Sequence, residues 1–301
     1  MLVTRLLVGA LLVALIVAML VLDQPPWFPF LFLLLLILSV TSCVELMQLV
    51  PATRKLPAWL CYPAVVLLLM ANWLAHVPGP TASTHPWLWV LGTFGIIVLA
   101  AFLVEMATFQ EPGDSVNRIA LTVWIVGYLG VLPSFFIQLR WLGGPGGLGE
   151  PGSSSLGSVA DVGTVALALA VFVPKTCDIG AFFTGRFLGR HRMTPILSPK
   201  KTWEGAIGGL VVAVLVTVGI DRLGPAPVLR ENILLELGFG ITVGVFAMWG
   251  DLAESLIKRD CRQKDASQVV PGFGGVLDVV DSVIFAAPVA YIWLRSSCES
   301  V

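Results

Sequence analysis

Charge is scarce in this chain: only 12% of its 301 residues are Asp, Glu, Lys or Arg, about half the share found in an ordinary soluble domain. A water-soluble globule is thereby disfavoured, because too few ionised groups remain to cover its surface. The five cysteines, Cys43, Cys61, Cys177, Cys261 and Cys298, form no CxxC pair. Neither a disulfide framework nor a thiolate zinc site is expected, and the thiols are read as reduced. The three histidines, His76, His85 and His191, make no HExxH, which excludes the helical metalloprotease pattern. His191, among basic neighbours, is read as simply solvated. No Gly-Lys-Ser/Thr opens a helix, so a phosphate-cradling P-loop is absent as well.

What the chain has in excess is apolar surface: 57% of its residues are hydrophobic and the mean hydropathy is +0.90. Continuous apolar runs, each near the roughly 20 residues that cross a bilayer, fall at 5–22, 28–49, 58–75, 87–108, 118–139, 159–176, 205–221, 233–250 and 280–295. Barrel strands would alternate in polarity over about ten residues. These runs do not, and in lipid each segment must pair its own backbone groups. The expected fold is therefore an all-α, polytopic integral membrane protein with about nine transmembrane helices. The run after Arg5 extends to Leu22 without a clear small-x-small site, and is read as the first span, not a signal peptide.

The distribution of basic residues supports this count. With the N-terminus inside, every one of the 18 Lys and Arg residues except Arg140, Arg222, Arg230 and Arg295 falls on the inner side, as the positive-inside rule requires. The division expected is 1–140 as N-terminal transmembrane helices, 141–158 as a flexible Gly-rich outer loop, and 159–301 as a C-terminal catalytic region, all one membrane domain. The stretch LGGPGGLGEPGSSSLGS from Leu142 to Ser158 disfavours helix and strand alike.

Polar chemistry gathers in two inner segments. In the first, Lys175 to Gly209, Asp178 ends an apolar run, where a carboxylate needs a partner or a wet cavity. Ser198 and Pro199 have N-cap and N1 character, which would put Lys200 and Lys201 in a first helical turn. Cations oppose the helix dipole there unless an anionic phosphate joins them; the alternative is that they grip lipid head groups. In the second segment, Trp249 to Ser282, Asp251, Glu254, Ser255 and Lys258 are spaced i, i+3, i+4 and i+7, one face of a helix. Asp278 and Asp281 are again three apart. Three carboxylates at one membrane boundary, Asp251, Asp278 and Asp281, repel unless a cation joins them, and hard oxygen ligands suit Mg²⁺ shared with substrate phosphates. The Pro-Gly-Phe-Gly-Gly run at 271–275 permits close approach of backbone to a ligand. Glu45 and Glu105, near inner helix ends, are read as interfacial residues, the alternative being that they support the ligands of a nearby site.

The stretches SPKKTWEGAIGG (198–209) and SLIKRDCRQKDASQVVPGFGGVLDVVDS (255–282) resemble those of bacterial phosphatidate cytidylyltransferase, also called CDP-diacylglycerol synthase. Ser255, Lys258, Arg259, Lys264, Asp265, Gly274, Gly275, Asp278 and Asp281 match its signature. Phe273 stands where the family usually has His, and Val279 where it usually has Arg.

The resemblance implies transfer of the CMP moiety of CTP to phosphatidic acid, giving CDP-diacylglycerol and pyrophosphate in phospholipid biosynthesis. It implies Mg²⁺ held by Asp251, Asp278 and Asp281, with K⁺ as a candidate second cation. Lys258 and Arg259 would act beside the metal carboxylates. Asp178, Ser198, Lys200, Lys201, Trp203, Glu204, Ser255, Lys264, Asp265, Gly274 and Gly275 would bind substrate. The site would face the cytoplasm from a multi-pass cell (inner) membrane protein in contact with membrane lipids, compatible with a homodimer and without nucleic acid. Three other readings stay open: a relative that binds lipid or nucleotide without turnover, an ion-coupled transporter, and another intramembrane transferase. Against the last, no DGxxAR motif is present.

Overall fold

Long apolar runs become long helices. The computed structural model of the chain describes residues 2–23, 27–50, 58–76, 84–142, 156–263, 266–267, 269–270 and 274–299, except the side chains of 2–7, 156–161 and 299. In chain order the helices are α1 (Leu2–Leu22), α2 (Pro29–Leu49), α3 (Ala58–Ala71), α4 (Pro86–Thr108), α5 (Ser115–Val126), α6 (Leu132–Arg140), α7 (Leu156–Leu188), α8 (Trp203–Leu223), α9 (Ile233–Asp260) and α10 (Leu277–Glu299). A π turn at Gly127–Val131 joins α5 to α6. The strands β1 (Arg192–Thr194) and β2 (Ser198–Thr202) form an antiparallel hairpin between α7 and α8.

Among the described residues, eight segments are long and apolar enough to cross a bilayer: Pro29–Leu49, Ala58–His76, Pro86–Thr108, Ser115–Arg140, Val162–Leu188, Trp203–Leu223, Ile233–Asp260 and Leu277–Cys298. The other expected span coincides with α1, whose Val8–Leu22 portion is apolar but shorter. The chain is an all-α, multi-pass membrane protein. Two expected spans are extended: α7 continues past 176 to Leu188, and α9 past 250 to Asp260. Most of the expected Gly-rich loop, residues 143–155, lies outside the described residues.

The chain divides into two compact units, residues 1–137 with 265–279, and residues 138–264 with 280–301. In the first, Cys61, Val65, Leu68, Leu69, Ile125 and Leu129 are fully buried. Asn72 donates to Ser134 Oγ at 2.9 Å, and also to the carbonyls of Leu68 and Leu69. Asp23 is buried and accepts N–H bonds from Phe30 and Leu31 at 3.0 and 2.9 Å. The first turn of α2 thus has a carboxylate at its positive end. Glu105 and Arg118 form an ion pair that ties α4 to α5. Leu91, Ile96, Leu99 and Leu103 are exposed along α4, as a helix facing lipid requires.

In the second unit, small residues let helices approach closely, the usual device where lipid removes any hydrophobic drive between them. A Cβ on Gly209 of α8 would lie 2.7 Å from the Cys177 carbonyl of α7, and one on Gly240 of α9 would lie 2.8 Å from Val214 Cα of α8. At the far end of α8, Asp221 accepts N–H bonds from Leu229 and Glu231. Arg222 meets the buried Glu236 at 2.9 Å. Asp221 and Glu236 thus each accept from donors of this region.

A candidate metal and phosphate site in the second unit

The extension of α9 beyond its apolar run carries Asp251, Glu254 and Lys258 on one face, as their spacing predicts. Gly250 fixes where that face lies. A Cβ there would fall 2.7 Å from the Asp281 carbonyl and from Phe285 Cβ, and 2.9 Å from Ser282 Cα. Only glycine lets α9 come this close to α10, and the contact sets Asp251 and Glu254 beside Asp281. One carboxylate oxygen from each of these three residues lies within 4.8 Å of the others.

Three lysines serve the same cluster. Lys201 Nζ on β2 is 2.8 Å from Asp251 Oδ2 and within 3.5 Å of the Met248 carbonyl. Lys258 Nζ is 2.6 Å from Glu254 Oε2, one helical turn away. Lys175 Nζ on α7 lies 3.5 Å from Asp178 Oδ2 and 3.7 Å from Asp281 Oδ1. Ser282 Oγ donates to Asp178 Oδ2 at 2.7 Å, and its N–H donates to Asp281 Oδ1 at 2.6 Å. The side chains of Glu254 and Asp281 are only 2% and 5% exposed, whereas Asp251 is 38% exposed. The cluster is therefore deep at α10 and open at Asp251.

At 4.8 Å two unit negative charges repel by about 3.5 kcal/mol with an effective dielectric constant of 20. Three such carboxylates need countercharge, which the lysines supply here and a divalent cation can supply more compactly. The donor set suits such an ion: carboxylate oxygens only, close together, with one edge open for water and substrate oxygens.

The hairpin corrects one local expectation. Ser198 and Pro199 are not N-cap and N1, and Lys200 and Lys201 do not occupy a helical turn; all four lie in β2. The cap is Thr202, extended at φ −125 and ψ 154, whose Oγ1 accepts from Gly205 N at 3.1 Å. Pairing of Ser198 with Thr194 and of Thr202 with Arg192 holds the lysines extended. Lys200 therefore points to solvent, while Lys201 reaches Asp251.

Glu204, in the first turn of α8, accepts from the N–H groups of Arg190 and His191 at 3.1 and 3.2 Å. Its Oε1 is 2.6 Å from His191 Nδ1. Glu204 thus braces the base of the hairpin, and His191, expected to be merely solvated, is its partner. Trp203 is exposed, and Ser255 is half-buried on α9. Arg259 is exposed, with its guanidinium 3.3 Å from the Gln263 carbonyl.

Gly274, Gly275 and Asp278 belong to the first unit. Asp278 Oδ2 accepts N–H bonds from Gly275 at 2.6 Å and from Ala266 at 3.1 Å. Gly274, at φ +112, exchanges both backbone bonds with Val270, a conformation that favours glycine. Lys264, Asp265 and Phe273 lie outside the described residues. Sequence reasoning left Glu254, Lys175 and Ser282 out of the site. For Glu254 and Lys175 the signal was available in their i, i+3 spacing to Asp251 and Asp178; for Ser282 none was. Glu45 and Glu105 are buried, not interfacial.

A sequence model described as the cytidylyltransferase family matches residues 3–297. Phosphatidate cytidylyltransferase 4, chloroplastic, of Arabidopsis thaliana is 36% identical over 211 residues, 68% of this chain and 53% of that protein. Phosphatidate cytidylyltransferase 5, chloroplastic, of the same plant is 36% identical over 208 residues, 66% of this chain and 51% of its own length. The chain thus spans about half the length of these plant relatives. Phosphatidate cytidylyltransferase of Staphylococcus aureus strain COL is 27% identical over 212 residues, 70% of this chain and 73% of that protein. With nearly its whole length matched, this chain belongs to the cytidylyltransferase family, among relatives named phosphatidate cytidylyltransferase.

Proposed function

We infer that the chain transfers the CMP moiety of CTP to phosphatidic acid, giving CDP-diacylglycerol and pyrophosphate. The observation that carries this reading is the convergence of Asp251, Glu254 and Asp281 within 4.8 Å, interleaved with Lys175, Lys201 and Lys258. Relatives named for the same reaction support it.

An anionic phosphate oxygen of the lipid forms a bond to the α-phosphorus of CTP. The bond from that phosphorus to the oxygen bridging the β-phosphorus breaks, and this oxygen leaves with pyrophosphate. A phosphate monoester is already largely ionised near neutral pH, so no side chain need remove a proton. Asp251, Glu254 and Asp281 would hold Mg²⁺, Glu254 replacing the Asp278 expected from the sequence, whose Oδ2 is taken by backbone N–H groups, with K⁺ as the second cation the resemblance suggests. When bound, such cations neutralise charge on the triphosphate and its leaving group. Lys201, released from Asp251, and the exposed Lys200 and Arg259 then offer positive charge to phosphate oxygens. Lys175 and Lys258 hold the buried carboxylates in place.

The exposure of Asp251 gives CTP a route from water, and the apolar helices give the lipid a lateral one. The inner-side bias of basic residues favours a cytoplasmic active site in the cell membrane. A homodimer is compatible with this reading and carries no step of it.

The test is incubation of detergent-purified protein with labelled CTP, phosphatidic acid and Mg²⁺. The expected result is labelled CDP-diacylglycerol with equimolar pyrophosphate, dependent on both substrates and on Mg²⁺. Binding of CTP or lipid without product would leave a non-catalytic relative instead.

A further inference from the structure

The cluster in the second unit does not use one buried acid of the first unit, Glu45 on α2. It is 2% exposed, and its carboxylate is engaged by Ser267, Val276 and Leu277. Oε1 accepts from Ser267 Oγ at 2.6 Å and from Val276 N at 2.9 Å, and Oε2 accepts from Leu277 N at 2.8 Å. Val276 and Leu277 open α10, so their N–H groups are among those a helix cannot satisfy internally. Glu45 caps α10 from a residue more than 200 positions earlier. Gly275 leaves room for it: a Cβ there would lie 2.6 Å from Glu45 Oε2. Asp278 accepts in turn from Ala266 N and Gly275 N. The two carboxylates thereby accept from five donors, on Ala266, Ser267, Gly275, Val276 and Leu277.

We propose that Glu45 is a positioning residue for the cation site, acting by fixing the start of the helix that carries Asp281 one turn beyond Leu277. Its role rests on the proposed reaction for its purpose but not for its measurement. Charge-assisted bonds from a carboxylate to backbone N–H groups are stronger than neutral ones, and groups that orient a metal ligand typically govern affinity by about 10- to 100-fold. Glu45→Gln keeps one acceptor oxygen but turns an N–H₂ toward a backbone donor. Ser267→Ala removes the side-chain donor that holds Glu45 Oε1 beside the Val276 amide, and so loosens the cap without removing it.

The experiment measures Mg²⁺ affinity by calorimetry on the full-length protein in detergent, with hydrogen exchange at the amides of Val276 and Leu277. CTP turnover is measured in parallel. Glu45→Gln should lose amide protection and weaken Mg²⁺ binding by about tenfold or more, raising the Mg²⁺ needed for half-maximal turnover. Ser267→Ala should produce a smaller shift of the same kind. Glu105→Gln breaks another buried pair of the same unit and serves as the control: it should lower thermal stability and leave Mg²⁺ affinity unchanged. Loss of protection at Val276 and Leu277 with wild-type Mg²⁺ affinity would make Glu45 a helix cap only and overturn the proposal. If Glu45→Gln does not fold, unchanged Mg²⁺ affinity in Ser267→Ala has the same force. Wild-type protein that binds Mg²⁺ without turnover would sink the proposed reaction and leave the affinity comparison to decide Glu45.

Discussion

Gly250→Ala sets two effects of opposite sign against each other. In an unobstructed helix interior the change should stabilise the protein by about 1 kcal/mol, because alanine is the better helix former. Here the added methyl would meet the Asp281 carbonyl and Phe285 Cβ at 2.7 Å and Ser282 Cα at 2.9 Å. Carbon atoms in comfortable contact sit at about 3.5 to 4.0 Å, so α9 must move from α10 by roughly 1 Å. Two of the obstructing atoms are backbone, which cannot rotate away. Overpacking of this kind costs about 1–3 kcal/mol, which outweighs the propensity gain. A displacement of about 1 Å between reacting groups can also cost on the order of 10²-fold in rate. Gly250→Ala should therefore lower the melting temperature modestly and reduce CDP-diacylglycerol formation per folded molecule far more. The half-saturating Mg²⁺ concentration should rise with it. A variant more stable than wild type with undiminished turnover would refute the close approach of α9 and α10 and the placement of the carboxylates that rests on it.

Lys201→Met removes the ammonium that meets Asp251 at 2.8 Å; being partly exposed, the pair should cost less than about 1 kcal/mol of stability. Half-saturating Mg²⁺ should fall, since the lysine no longer competes for Asp251, while turnover drops at least about tenfold through loss of a phosphate-stabilising charge. Thr202→Ala should lower stability by about 1 kcal/mol through loss of the α8 cap, and Thr202→Ser should restore it in a thermal melt. Burial, and then the charge of Asp260, raise the Cys261 thiol above its usual range. Less thiolate is present at neutral pH, so maleimide should label Cys261 more slowly than a free thiol, and the rate should keep climbing at higher pH. Labelling as fast as free cysteine would contradict that environment.

The helices were legible because lipid demands long apolar runs: among the described residues eight of these reappear as segments of spanning length, and the first coincides with α1. Their ends were harder to read. Hydropathy falls at Lys175 and Asp251, yet α7 and α9 run on because backbone pairing persists through charged residues that find partners across the cluster. At Ser198 and Thr202 two residues of similar capping strength compete, and the choice falls to a hairpin partner, Arg192–Thr194, that local pattern does not reveal. The polar face of α9 was visible in its spacing; that Glu254 joins Asp281 depends on Gly250 and a helix some thirty residues later. Glu45 was the least legible, because nothing near it in sequence indicates the backbone groups it caps.

The most direct test of the cation site is the Mg²⁺ dependence of CDP-diacylglycerol formation by Asp281→Asn. Asparagine keeps the shape and can still accept from Ser282 N, so the fold should persist while one carboxylate ligand is lost. Turnover should fall by about a hundredfold or more, with a higher Mg²⁺ requirement and a wild-type melting temperature within a few degrees. Wild-type turnover at wild-type Mg²⁺ would contradict the assignment of Asp251, Glu254 and Asp281 as the cation's ligands.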